Sequence, residues 1–150
     1  QSGQRLTVSD QSAFNAYGTV SDFAQMTPGC QVNKSGSVTG RLNQFFNTGC
    51  FVDYPVIGDD GVATGFGNSG VGLVNGPGQV NTDLSIIKTF PLHWPSEAAN
   101  AEFRTEFFNA FNHPIFAIPD LVRADGPSFG QITNTASNPR LIQFALKLNF

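Results

Sequence analysis

Arg140-Leu-Ile-Gln-Phe-Ala-Leu-Lys-Leu-Asn-Phe150 closes the chain, and its reading decides the fold. Ile142, Phe144, Leu146, Leu148 and Phe150 take every second position, with Gln143, Ala145, Lys147 and Asn149 between them. A period of two is that of a β-strand with one apolar face and one wet face. These eleven residues match the roughly 9 to 11 that a tilted strand needs to cross a bilayer. Alternation alone fits a half-buried sheet of a soluble protein equally well, and such sheets are the commoner source of it. The aromatic at the very end, with no tail after it, shifts the reading toward a membrane barrel.

Composition agrees with strands and loops. The charged fraction is 13%, well below the roughly 25% usual for soluble domains. Fifteen Phe stand against one Trp, with 16 Gly and 9 Pro, a mixture that favours strands and turns over helices. No apolar run reaches the roughly 18 residues of a spanning helix, while a β-barrel needs no such run. A net charge of -3 is too small to imply a nucleic-acid or anionic-membrane partner. Because the chain begins at Gln1 without a Met or a signal peptide, we expect a processed piece or a partial reading frame.

Upstream of the last strand the chain divides by pattern. In residues 1–10, Leu6 and Val8 alternate with Arg5, Thr7 and Ser9, as at the outgoing end of a strand. Residues 11–75 are polar and Gly-rich, with Phe14, Tyr17, Phe23, Phe45, Phe46, Phe51 and Tyr54 scattered through them. Only short strand candidates such as 49–54 occur there, and loops of that length are usually functional or flexible. The aromatics fit a surface for polar ligands, such as glycans or peptides. The plainer expectation is that they fold the loop onto itself. Cys30 and Cys50, with nineteen residues between them in this region, are the only cysteines. We expect a disulfide between them and an oxidising compartment. A metal site would lack two ligands, since His93 and His113 lie in turns elsewhere.

Gly65-Phe-Gly-Asn-Ser-Gly70 spells the dinucleotide fingerprint G-x-G-x-x-G. The sequence before it is a poor buried strand, and Val71-Gly-Leu-Val-Asn-Gly-Pro-Gly78 cannot form the helix that would hold a pyrophosphate. No nucleotide site is expected.

Regular alternation returns after Gly78. Thr82, Leu84, Ile86 and Phe90 share a face opposite Asn81, Asp83, Ser85 and Thr89, with Ile87 and Lys88 out of pattern. A short turn is predicted over 91–96, where His93 and Trp94 suit an interface. A second strand is predicted over 98–111, with Phe103, Phe107 and Phe111 on one face and Glu102, Arg104 and Glu106 on the other. Glu102 and Glu106 make a poor glycosidase pair, because residues four apart along a strand stand about 13 Å apart. We expect these charges to form a solvated ladder with cross-strand partners such as Lys147 and Asp83.

Several blocks in order carry a family resemblance. They are Gly76-Pro-Gly78 with Asn81, Asp83, Ser85, Lys88 and Phe90; Phe103-Arg-Thr-Glu-Phe-Phe-Asn-Ala-Phe-Asn-His-Pro114; Phe129-Gly-Gln-Ile132; and Asn138-Pro-Arg140 with Gln143-Phe-Ala-Leu-Lys147. This pattern resembles the C-terminal end of TonB-dependent outer-membrane receptors of the Oar-like type, which carry a carboxypeptidase-regulatory-like domain at the N-terminus. Residues 76–150 are similar in detail, and residues 1–75 only in character.

The resemblance implies an all-β fold, with antiparallel strands forming the C-terminal portion of a transmembrane β-barrel with long external loops. Residues 1–10 would end one barrel strand, 11–75 would be a long extracellular loop, and 76–150 would supply the last three strands. A second external loop would run over 114–139. The function implied is import of a large or scarce solute across the bacterial outer membrane, with no catalytic activity and no cofactor. Implied partners are the remainder of the barrel and its plug, the TonB complex, outer-membrane lipid, and the barrel-assembly machinery, which would read Phe150. Phe103, Phe107, Phe111, Phe144, Leu146 and Leu148 would face lipid. Asp83, Glu102, Arg104, Glu106, Gln143 and Lys147 would face the lumen. The alternative is a processed or secreted extracellular fragment that self-assembles through its open sheet edges or acts as a binding module.

Overall fold

A computed structural model of the chain describes residues 3–11, 23–55, 67–94 and 96–150. Regular structure among them is β, with short 3-10 turns at Thr39–Arg41, Thr48–Cys50 and Arg123–Ser128. Two compact units result, one from residues 1–79 and 116–134, the other from 80–115 and 135–150.

The first unit is irregular but cored. Four two-residue strands pair antiparallel, β1 (Arg5–Leu6) with β4 (Val74–Asn75) and β2 (Gln25–Met26) with β3 (Phe51–Val52). The core holds Leu6, Val8, Phe45, Phe46, Phe51 and Val74, together with Ile132 from the second long loop. Phe46, Phe51 and Phe129 meet edge to face, with centroids 5.3 to 5.8 Å apart, the arrangement aromatic quadrupoles favour. The scattered aromatics thus fold the loop onto itself: Phe45, Phe46, Phe51 and Tyr54 are buried, and Phe23 is partly exposed. Phe14 and Tyr17 lie outside the described residues.

Asparagine amides stand in for strands in this unit. Asn33 accepts the Asn75 N–H and donates to the Leu73 carbonyl, both at 2.8 Å. Asn68 likewise accepts from the Met26 N–H at 2.7 Å and donates to its carbonyl at 2.9 Å. Each side chain supplies the donor and acceptor of one ladder rung, so an aperiodic chain still satisfies its backbone. Cys30 and Cys50 form a disulfide. Gly67, at the centre of the G-x-G-x-x-G spelling, is required for close packing. A Cβ there would stand 1.7 Å from the Phe23 carbonyl oxygen. Gly65 and Phe66 of the same spelling lie outside the described residues.

The second unit is a three-stranded antiparallel meander of β5 (Leu84–Pro91), β6 (Asn100–Phe108) and β7 (Leu141–Asn149), in that order. A hairpin joins β5 to β6, with the Leu92 N–H donating to the Ala99 carbonyl at 2.7 Å. β6 ends at Phe108, short of the 98–111 span predicted from alternation. Asn109 and Asn112 take left-handed conformations, with φ of 51° and 52°, which asparagine tolerates better than most residues. Phe111 therefore sits in a turn, 80% exposed, and not on the strand face predicted for it.

The two units are not contiguous along the chain. Residues 5–6 pair within the loop unit, which continues to residue 79 and takes in residues 116–134 of the second loop.

Candidate functional site

The surfaces with functional character are the two faces of the meander. Residues directly opposite in an antiparallel pair share a face, so the register sorts them. Glu102 lies between Thr89 and Lys147, Arg104 between Ile87 and Ala145, and Glu106 between Ser85 and Gln143. Those residues form one face. On the other, Phe103 lies between Lys88 and Leu146, Thr105 between Ile86 and Phe144, Phe107 between Leu84 and Ile142, and Ala101 between Phe90 and Leu148.

The ion pair on the polar face runs along the strand and not across it. Arg104 pairs with Glu106 two residues on, while Glu102 stands opposite Lys147 by register. Asp83, predicted as a cross-strand partner for these charges, has a different role. Its carboxylate accepts the Asn109 N–H at 2.9 Å and the Asn81 amide at 3.1 Å. It thereby fixes the turn that ends β6, since a carboxylate offers only acceptors and the turn exposes donors.

The apolar face is bare. Ile86, Phe144, Leu146 and Leu148 are each 49 to 67% exposed, and Phe150 beyond β7 is 76% exposed. Phe103 and Phe144 stack with centroids 6.2 Å apart. Contiguous apolar surface of this kind on a soluble monomer is uncommon, and its burial requires a medium or a partner. β5 and β7 are also the edge strands of the described sheet.

Sequence reasoning missed the clasp at the end of this sheet. The Asn109 amide accepts the His113 N–H at 2.8 Å and donates to the carbonyls of His113 at 3.1 Å and Asn138 at 3.4 Å. Asn112 accepts the Arg140 N–H at 3.1 Å. The visible signal was the Asn-Ala-Phe-Asn spacing, which alternation read as more strand. An ion-pair junction in the loop unit was missed as well. Arg123 meets the fully buried Asp10 at 3.4 Å and Asp53 at 2.7 Å, the pairing a buried carboxylate requires. Nearby, the pKa of the Asp125 carboxyl is raised from its ordinary value, first by desolvation and then by the charge of Asp120 and a hydrogen bond with it.

No cluster of three or more His, Cys, Asp or Glu able to hold a metal occurs among the described residues. No helix among them is long and apolar enough to cross a membrane, which leaves a strand-built crossing open.

Antiparallel strands with one polar and one bare apolar face are what the wall of an outer-membrane barrel presents. A family model described as an outer membrane beta barrel domain matches residues 1–143, and the chain belongs to that family. Membership assigns it to the outer membrane. No curated protein and no solved structure matches the chain.

Proposed function

We propose that the chain is the C-terminal barrel segment of a TonB-dependent transporter that imports a large or scarce solute. The observation that carries this reading is the strand register. It collects Glu102, Arg104, Glu106, Gln143 and Lys147 on one face, with Phe103, Phe107, Phe144, Leu146 and Leu148 on the other. A lumen and a lipid phase ask for these two surfaces. The ordered sequence blocks from Gly76 to Lys147 add the TonB-dependent type. In this reading β7 pairs with a further strand of the barrel, Phe150 is read by the assembly machinery, and a plug fills the lumen. On this reading the segment has a transport role and no catalytic or cofactor-binding one.

The open edges at β5 and β7 support a second reading, a self-assembling extracellular fragment. One experiment separates the two. The full-length protein is extracted from outer membranes in detergent and titrated with the soluble C-terminal domain of TonB. Saturable binding that disappears on deletion of the TonB-box segment is expected. A folded, heat-modifiable protein that ignores TonB would overturn the transport reading. Assembly into filaments in water without detergent would establish the alternative.

A further inference from the structure

The end of the meander away from its hairpin holds two adjoining clefts, of about 380 Å³ and about 460 Å³. Both volumes fall within the roughly 300–1,000 Å³ of small-molecule sites. The clefts share Asn109, Ser137, Asn138 and Pro139. The smaller extends past Asn112, Pro114 and Thr135, the larger past Asn81, Asp83, Phe108 and Gln143. The backbone of the clasp engages the amide of Asn109 at both ends, so this residue serves as frame. Asn112 uses its oxygen on the Arg140 N–H, which leaves its nitrogen donors for another partner. The Ser137 hydroxyl is buried and has no hydrogen-bond partner among the described residues. Buried polar atoms in native proteins are nearly always satisfied, so this oxygen points to an occupant of the cleft.

The lining selects the chemistry of that occupant. Asp83 is the one ionisable side chain along both clefts among the described residues. With no cationic side chain there and Asp83 on its rim, the lining offers phosphate or carboxylate groups no counter-charge. Side-chain amides and hydroxyls each donate and accept, as sugar hydroxyls do. Pro114, Pro139 and Phe108 add apolar surface against which the C–H face of a sugar ring packs. We propose that the paired cleft binds a neutral saccharide, held by Asn112, Ser137 and Asn138. Its identity as the imported solute rests on the transport reading above, whereas the binding itself does not involve TonB.

The test is calorimetric titration of the full-length protein in detergent micelles with maltose, cellobiose, xylobiose and chitobiose, with inorganic phosphate and trialanine alongside. Saturable binding of at least one disaccharide is expected. Ser137→Val, which fills the cleft, and Asn138→Ala, which keeps the carbonyl that Asn109 uses, should each weaken it tenfold or more. Heat-modifiable migration confirms that each variant is folded. The site is refuted if no disaccharide binds the folded protein, if both folded variants bind at full strength, or if phosphate or trialanine binds there instead. Lost saccharide binding with TonB recognition intact removes the site alone. Saccharide binding without TonB recognition removes the transport reading and leaves the site.

Discussion

The two units of this chain reverse the usual relation between regularity and burial. The meander has long, well-registered strands, yet most of its side chains are exposed on both faces. The loop unit has strands of only two residues, yet it holds most of the buried apolar side chains and the disulfide. On the proposed barrel reading, the difference lies in the medium each unit is built for. An irregular segment in water must bury apolar side chains to offset the entropy of ordering its backbone. A sheet facing lipid leaves its apolar face bare, because hydrocarbon covers it. Backbone hydrogen bonding then fixes the sheet's geometry, since unpaired groups are costly in hydrocarbon.

That contrast breaks first at Phe46, which is 1% exposed at the centre of the aromatic trio. Phe46→Ala should destabilise the loop unit by about 3 to 5 kcal/mol. Hydrogen exchange on the full-length protein should show protection lost in residues 23–55 and retained in β5 to β7. Protection lost equally in both would mean that the units are not separately stable.

The converse substitution lies on the sheet. Phe144→Arg should cost about 2 to 4 kcal/mol in a bilayer folding titration, and Gln143→Arg, on the opposite face, close to nothing. Equal costs would refute the assignment of faces.

Removing the disulfide by Cys30→Ala with Cys50→Ala should cost the loop unit about 3 kcal/mol for its 20-residue separation. The thermal transition of the sheet should not move, and a shift of both transitions would couple the units.

The smallest effect belongs to Asp125. Its raised pKa means that folding favours the protonated carboxyl, so the ionised form opposes folding at neutral pH. The penalty fades as the pH falls through the raised pKa. Asp125→Asn should therefore raise the midpoint of the loop unit slightly at pH 7 and leave it unchanged in acid. An equal rise at both pH values would assign the effect to something other than charge.

Legibility in the sequence follows the same division. Alternation marked β5, most of β6 and β7, because a strand's side-chain period is local and needs no knowledge of its partners. It overran at the end of β6. Asn109 and Asn112 keep the apolar spacing of Phe107 and Phe111 but turn the backbone through a conformation that alternation does not register. The paired cysteines were legible because nothing else in the chain competes for them. Asp83 was misjudged as a charge partner, since its acceptors are used by backbone and amide donors that only the folded turn brings within reach.

The sequence by itself determined the β character of the chain, the two chemically distinct faces of its sheet and the Cys30–Cys50 pair. All three rest on local spacing or on simple counting. Only the tertiary structure decided that residues 116–134 join residues 1–79 around Phe46, that Asn33 and Asn68 act as ladder rungs, and that Arg123 bridges Asp10 and Asp53. Those contacts join residues tens of positions apart. Their partners are chosen by packing and by hydrogen-bond satisfaction in three dimensions, which no local period encodes.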